Sequence, residues 1–288
     1  MSEIMHRLIY EYPQLSLPIQ AGQSESEAYR RIVRKGILPV ELPNPFPGSP
    51  SDSASICHTP AGDVELIRLG RRGDFIRAVQ ALAHRCEPVK IPDSMGAVTI
   101  SGVVNWRKLH RHKARWLAEH PAGDWQAEFR AFTAQPDNYR DCLLLVSEGP
   151  YSAFPAEAAG FSPEVWLEAS LTIRSYHEIT HWICRRLWKD HQQAIRDEIV
   201  ADCIGLLAAF GRYDTDLAAR LLGLEPWGYR EGGRLQNYVE GGLPSPVLLE
   251  KVRKQINLLS ARNPERFQDP FAFLADIENN TIGLELWI

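Results

Sequence analysis

The sequence predicts an α+β protein in which a small mixed sheet precedes a mainly helical half. Three apolar runs have the composition of β-strands: VELIRL at 64–69, AVTISGVV at 97–104 and DCLLLVS at 141–147. The strongest helix signal follows these runs and extends from Ser162 to about Lys189. Ser162 is a preferred N-cap residue, and Pro163 suits the first helical position.

The composition is that of an ordinary globular chain. Of the 288 residues, 44% are hydrophobic and 24% are charged, which argues against a disordered chain, a collagen-like repeat or a coiled coil. The formal net charge of -4 gives no overall attraction to nucleic acid or to anionic membranes. No stretch reaches the roughly 18 to 20 apolar residues that span a bilayer. Five cysteines without a CxxC pair fit reduced thiols, so we expect a cytoplasmic protein.

Three regions are predicted along the chain. Residues 1–62 form an extended, proline-rich N-terminal region with one short helix that opens at Ser24 or Ser26. Residues 63–161 form an α+β sheet subdomain. Residues 162–288 form a helical subdomain that carries the candidate metal-binding residues.

Within the last region, a second long helix follows the first after a very short turn. Asp190 is its candidate N-cap, Gln193 lies at the capping-box position, and the helix ends near Phe210, just before a glycine. A further helix is predicted at 246–261. Two long helices that meet at a short turn are expected to pack side by side.

The first long helix contains an HExxH pattern formed by His177, Glu178 and His181. Residues four apart on a helix lie about 40° apart around its axis, so both imidazoles project from one face and can bind one metal ion. Glu178 lies on the flank of that face, where it can reach a water molecule without binding the metal, as a general base requires. The alternative is a pair of ordinary polar histidines on a half-buried helix face.

The second long helix supplies an independent partner, the ExxAD string that contains Glu198 and Asp202. If the two helices are antiparallel, His181 and Glu198 stand at nearly equal height, and so do His177 and Asp202. Glu198 is then placed as a third ligand, which leaves a fourth position open for water as in catalytic zinc sites. Asp202 can accept the outer N–H of His177 and fix its ring. The alternative is charge pairing with Arg196 on a solvated face.

This set of side chains predicts zinc-dependent hydrolysis. One zinc ion per chain would lower the pKa of water to about 7, so Glu178 could take the proton as hydroxide attacks a polarised carbonyl. We therefore expect a metallopeptidase whose partner is a peptide or protein substrate. Two alternatives stay open: a non-catalytic regulatory or binding protein on a metallopeptidase scaffold, and a zinc hydrolase of another amide or ester.

Over about residues 162–210, the two motifs resemble those of the gluzincin branch of the zincin metallopeptidases. In that branch HExxH is followed, on a later helix, by a glutamate ligand and an aspartate one turn beyond. The ExxAD form looks particularly like soluble relatives of the M48-type peptidases, and is also similar to ImmA/IrrE-type peptidases. The resemblance implies a zincin-like fold and gives roles to five residues: the zinc ligands His177, His181 and Glu198, the base Glu178, and Asp202, which orients a histidine.

Two further expectations concern the substrate. Zincins align the substrate along an edge strand above the HExxH helix, and the strand at 141–147 is the candidate here. The loop after the second helix offers candidate stabilisers of the oxyanion, namely Tyr229 and Tyr238, with Arg230 and Arg234 beside them. The alternative is that these side chains cover apolar surface or cap a helix.

The remaining signals favour structural interpretations. The stretch WRKLHRHKARW at 106–116 has five Lys/Arg residues and two tryptophans, but its apolar positions have helical spacing, so an amphipathic helix is favoured over a nucleic-acid site. His110 and His112 lack obvious carboxylate companions, and no second metal site is predicted. Cys184 and Cys203 are interpreted as buried structural residues.

Overall fold

The structure, a computed structural model, is a mainly helical α+β protein with a small mixed sheet. It describes residues 2–188, 194–240 and 242–280. The chain forms two compact units. The first consists of the chain up to Ile56, Glu65–Ile91 and Val98–Ser147, and the second of Cys57–Val64, Pro92–Ala97 and the chain from Glu148 onward.

A four-stranded sheet has the strand order β1-β2-β4-β3. Its strands are β1 (Ser53–Thr59), β2 (Gly62–Leu69), β3 (Ala97–Val104) and β4 (Arg140–Ser147). The neighbours β2 and β4 are parallel, with Glu65 opposite Leu143 and Leu69 opposite Ser147. The three predicted strands are therefore confirmed. The sequence analysis missed β1, whose alternating small and polar residues do not form an apolar run.

The position of β4 corrects one expectation. This strand lies between β2 and β3, so both of its backbone edges face a neighbouring strand. Its apolar run from Leu143 to Val146 is at most 2% exposed, as expected for a strand that is covered on both faces. The expectation that a substrate adds to the strand at 141–147 is therefore wrong, because strand addition needs a free edge.

Helices precede and connect the strands of the first unit. The N-terminal region expected to be extended contains a helix in which Met5, Leu8 and Ile9 are buried at helical spacing. Ser26 caps the next, short helix by accepting a hydrogen bond from the backbone N–H of Tyr29, so the expected start at this serine is confirmed. The helices are α1 (Glu3–Glu11), α2 (Glu27–Tyr29), α3 (Arg72–Leu82), α4 (Trp106–Glu119) and α5 (Trp125–Thr133).

The second unit is mainly helical. Ser162 caps its longest helix by accepting a hydrogen bond from the backbone N–H of Val165, as predicted. Asp190 and Gln193, the expected cap of the following helix, lie outside the described residues. The elements are α6 (Ala156–Ala159), α7 (Pro163–Leu187), α8 (Ala194–Phe210), α9 (Thr215–Leu222), α10 (Pro246–Ala261), α11 (Pro270–Asn279) and the antiparallel strands β5 (Leu224–Glu225) and β6 (Gly228–Tyr229).

None of the helices in the described part of the chain combines the length and the apolar character needed to cross a membrane.

The helices α7 and α8 pack closely against each other, and Gly205 of α8 lies directly against Ile173 of α7. A Cβ atom at Gly205 would lie 2.8 Å from the carbonyl oxygen of Ile173 and 3.0 Å from its Cγ2 atom. Only glycine fits such a separation, because the obstructing atom belongs to the backbone of the neighbouring helix. The absence of a side chain at this position therefore sets the distance between the two helices.

Gly205→Ala is expected to lower the free energy of unfolding by about 1–2 kcal/mol. Overpacking a core costs about 1–3 kcal/mol, whereas a helical Gly→Ala exchange by itself gains about 0.5–1 kcal/mol. Chemical denaturation measures the difference. Gly73 in α3 is the matched control, because a Cβ atom there would meet nothing within 4 Å. Gly73→Ala should be neutral or stabilising, and equal effects of the two exchanges would contradict the packing argument.

Candidate metal centre

Two histidines on α7 and a glutamate on α8 converge. The Nε2 atoms of His177 and His181 lie 3.0 Å apart. The Glu198 carboxylate lies 3.2 Å from Nε2 of His181 and 3.4 Å from Nε2 of His177. His177 is buried and the other two side chains are half-buried. Within the described ranges, this is the group of His, Cys, Asp and Glu side chains that could hold a metal ion.

The donor atoms of these three side chains lie close enough together to face one metal ion. The two Nε2 atoms are 3.0 Å apart, and each imidazole faces a different oxygen of Glu198: Nε2 of His181 is 3.2 Å from Oε1, and Nε2 of His177 is 3.4 Å from Oε2. For comparison, a tetrahedral zinc ion with ligands at about 2.0–2.2 Å separates neighbouring ligand atoms by about 3.3 Å. Three ligand side chains leave a fourth position of such an ion open.

The register of α7 and α8 brings these side chains together. The two helices are antiparallel, because residue numbers rise along α8 as they fall along α7 from one contact to the next. The contacts are His181 with Glu198, His177 with Asp202, and Ile173 with Gly205. The sequence spacing predicts the first two pairs, and the structure has both. The third contact, at Gly205, brings the helices close enough for short acidic side chains on one helix to reach imidazoles on the other.

Asp202 lies directly behind His177. Its Oδ1 atom is 3.0 Å from Nδ1 of His177, and its other oxygen accepts a hydrogen bond from Arg234. Burial alone would raise the pKa of Asp202, but the Arg234 charge and hydrogen bonds from His177 and Tyr151 hold it below its usual value. Asp202 therefore stays ionised although it is only 1% exposed. The structure puts it where the sequence analysis expects a partner of the outer His177 nitrogen.

Charges and hydrogen bonds within the group together outweigh burial in setting the pKa values of His177 and Glu198. Burial alone would lower the pKa of His177, but the Glu198 charge and hydrogen bonds with Asp202 and Glu198 raise it to about 10. Conversely, the pKa of Glu198 lies far below its usual range: His177 stabilises the carboxylate more strongly than burial destabilises it. The group thus concentrates negative charge around the two imidazoles, which favours a bound cation.

Tyr151 is a member of this group that the sequence analysis missed. Its hydroxyl is 2.6 Å from Oδ1 of Asp202 and 3.0 Å from Nδ1 of His177, and Arg234 donates a hydrogen bond to it at 2.7 Å. Tyr151 belongs to a turn-like stretch between two prolines, where no periodic pattern points to a buried side chain. Arg234 is among the candidate oxyanion stabilisers, but its terminal nitrogens contact Tyr151, Ser152 and Asp202.

The loop that carries Tyr151 is strained and firmly held. Ser152 and Ala153 have φ angles of 53° and 55°, a left-handed conformation that costs about 1–3 kcal/mol per non-glycine residue. Arg174, one turn before His177 on α7, donates hydrogen bonds to the carbonyl oxygens of Gly149 and Pro150 at 2.6 and 2.5 Å. Such strain persists only where the surroundings fix the backbone.

The remaining candidate site residues occupy different places. Glu178 is half-buried on the flank of α7. Burial and the nearby Glu198 charge raise the pKa of Tyr238, so this tyrosine lies near the ligand group. The Tyr229 hydroxyl donates to the carbonyl oxygen of Gly233 at 2.6 Å and accepts from the N–H of Gln236 at 2.9 Å, so its hydrogen bonds serve the loop.

The cysteines and the other histidines considered as metal ligands lie outside the His177, His181 and Glu198 group. Cys184 and Cys203 are buried, and burial raises the pKa of both thiols, which suits structural residues. His112, expected to lack a carboxylate companion, has one: its Nε2 atom lies 2.6 Å from Glu128, and its ring stacks on Phe132. No third ligand joins this pair among the described residues.

The fold and the site define an α+β protein in which two antiparallel helices present a His-His-Glu group able to hold a metal ion. A protein-family model described as a family of unknown function (DUF7005) matches residues 2–283, and the chain belongs to this family. No curated protein and no solved structure shows significant similarity to the chain.

Proposed function

We propose that the protein is a zinc-dependent metallopeptidase with a zincin-like arrangement of α7 and α8. The observation that carries the proposal is the convergence of three side chains: the Nε2 atoms of His177 and His181 are 3.0 Å apart, and each lies 3.2–3.4 Å from the Glu198 carboxylate. Two imidazoles and one carboxylate form a donor set that zinc prefers, whereas calcium and magnesium favour sites made of oxygen ligands. Asp202, behind His177, supports the proposal because carboxylates commonly orient histidine ligands of zinc.

Each side chain has a distinct task in peptide hydrolysis. Zinc, when bound, supplies a Lewis acid that polarises the substrate carbonyl and lowers the pKa of water. Glu178 takes the proton from the attacking water and passes it to the leaving amine, which is the role of a general acid and base. The proposed donor of a hydrogen bond to the developing oxyanion is the Tyr238 hydroxyl, since this tyrosine lies near Glu198. We propose Tyr238 rather than Tyr229 for this task, since loop hydrogen bonds occupy the Tyr229 hydroxyl.

The proposed substrate is a peptide or small protein, and the proposed location is the cytoplasm. The location is supported by the five cysteines, all of which are free thiols in the structure. Free thiols are typical of reducing compartments.

Metal analysis of protein purified without a metal-binding tag tests the proposal. About one zinc per chain is expected in the wild type and none in His177→Ala, because removal of one of three ligands abolishes most of the affinity. His112→Ala is the control: this histidine is also partly buried and hydrogen-bonded to a glutamate, but lies outside the ligand group. A wild-type protein free of metal under non-chelating conditions would count against the proposal.

The same preparations are then incubated with a peptide library, and the products are identified by mass spectrometry. Zinc-dependent cleavage supports a peptidase. A protein that binds zinc but cleaves neither peptides nor a panel of other amides and esters would instead be a regulatory or binding protein on this scaffold.

A further inference from the structure

The Tyr151 hydroxyl lies within hydrogen-bond distance of three groups, of which two can accept its single proton. Asp202 Oδ1 is 2.6 Å away and His177 Nδ1 is 3.0 Å away, while Arg234 Nη1 lies at 2.7 Å and can only donate. The proton must therefore point to Asp202 or to His177. Two oxygen atoms 2.6 Å apart, one of them in a carboxylate, need a proton between them, so the Tyr151 proton points to Asp202.

This assignment determines the state of the histidine. Nδ1 of His177 faces Oδ1 of Asp202 at 3.0 Å and does not receive the Tyr151 proton, so Nδ1 donates its own hydrogen to Asp202, whose other oxygen pairs with Arg234. Metal binding requires the loss of the second imidazole proton, and with Nδ1–H held by Asp202 the nitrogen that loses its proton is Nε2. That atom belongs to the group formed with His181 and Glu198. The hydrogen bonds behind the ring therefore decide which nitrogen is presented to a metal.

We infer that Tyr151, held by Arg234, is a positioning residue that keeps Asp202 and His177 in the one arrangement in which Nε2 of His177 is ready to bind the metal. This inference rests on the proposed function, since it concerns the same zinc site. Tyr151 touches neither the metal position nor the substrate in this role. It acts through Asp202, as outer partners of zinc-binding histidines do.

The loop around Tyr151 is built to fix this hydroxyl. The Ser170 hydroxyl on α7 accepts a hydrogen bond from the Tyr151 backbone N–H at 2.8 Å, and Arg234 donates to the Ser152 hydroxyl at 3.1 Å. Together with Arg174, these contacts hold the left-handed backbone at Ser152 and Ala153. Two side chains of α7 thus hold the loop backbone, and Arg234 holds the hydroxyls of Tyr151 and Ser152; a purely space-filling tyrosine would need neither.

Tyr151→Phe tests the inference, because it removes the hydroxyl and keeps the ring. Arg234 Nη1 then loses one of its two acceptors, the one beside Oδ1 of Asp202, and competes with His177 for that oxygen. We expect the zinc Kd, measured by chelator competition, to rise about tenfold, within the range of outer partners of zinc ligands. The visible absorption spectrum of the cobalt-substituted protein should change as well, since it reports the arrangement of the ligands.

Tyr12→Phe is the matched control. The Tyr12 hydroxyl is also buried and donates to an aspartate, Asp141, at 2.6 Å, but it lies in the first unit. This variant should lose stability with an unchanged zinc Kd and cobalt spectrum. If Tyr151→Phe behaves in the same way, Tyr151 has a structural role only and the inference is overturned.

Ser152→Ala keeps the inference testable if Tyr151→Phe does not fold. Ser152 is half-buried, and its loss removes one anchor of Arg234 without disturbing a core side chain. A zinc Kd raised about threefold is expected, and an unchanged Kd would contradict the inference.

The inference and the proposed function fail in different ways. Wild-type protein that binds no zinc contradicts the proposed function. Wild-type protein that binds zinc, with variants of equal affinity, contradicts this inference alone.

Discussion

Replacing Glu178 by glutamine is expected to leave one zinc per chain in place and to slow peptide hydrolysis by about 10²–10⁴-fold, the usual contribution of a general base. The amide has nearly the size of the carboxylate but cannot take up a proton. Glu178 is not part of the His177, His181 and Glu198 group, so metal content should not change. Zinc analysis and the rate of cleavage of one library peptide, measured on the same preparation, test both statements.

Glu168→Gln is the control for this experiment. Glu168 is an exposed glutamate on the same helix, ten residues before Glu178, so its exchange alters the charge of α7 by the same amount. It should leave hydrolysis unchanged. Equal rates for Glu178→Gln and the wild type would exclude Glu178 as the base. A loss of zinc from Glu178→Gln would mean that Glu178 supports the metal rather than the reaction.

Asp202→Asn is expected to lower the free energy of unfolding by about 3–5 kcal/mol, the usual cost of removing one partner from a buried ion pair. The Arg234 guanidinium, with a side chain only 10% exposed, would lose its charge partner. Because the folded-state pKa of Asp202 is lowered, its contribution is present above the unfolded pKa of about 3.9 and is lost as pH falls through the folded value. The difference between variant and wild type should therefore shrink under acidic conditions.

Asp63→Asn provides the comparison for this measurement. Asp63 also pairs with a histidine, His58, at 2.7 Å, but the two side chains are 64% and 82% exposed. Exposed pairs contribute at most about 1 kcal/mol. Urea denaturation of both variants, carried out after chelator treatment, separates the buried ion pair from any effect of bound metal. Similar losses in the two variants would mean that Asp202 and Arg234 do not form a buried pair in solution.

The central geometry of the site could be predicted because it follows from helix periodicity and from the antiparallel packing expected of two helices that are joined by a short connection. A four-residue spacing places His177 and His181 on one face, and the equal distances from the turn match them with Asp202 and Glu198. No side-chain detail is needed for that argument. The strand at 141–147 could also be predicted from the sequence, because a strand that is covered on both faces is apolar throughout.

The surroundings of the site could not be predicted, since they depend on contacts between distant segments. Tyr151 lies in a loop whose conformation is set by Arg174, Ser170 and Arg234, none of them adjacent in sequence. The position of a strand within a sheet is likewise a property of chain topology, so the interior place of β4 had no local signal. The first helix, α1, was missed because the proline-rich segments that follow it dominate the composition of the N-terminal region.

The interior place of β4 also bears on self-association. Its segment Leu143 to Val146 is apolar, uncharged and rich in residues suited to intermolecular β-pairing. The fold keeps this segment covered by β2 on one side and β3 on the other, and the more polar β1 lies at an outer edge. Substitutions that open the sheet would therefore expose an apolar, uncharged stretch to pairing with other chains. Loss of solubility, rather than a chemical defect, would be their first visible effect.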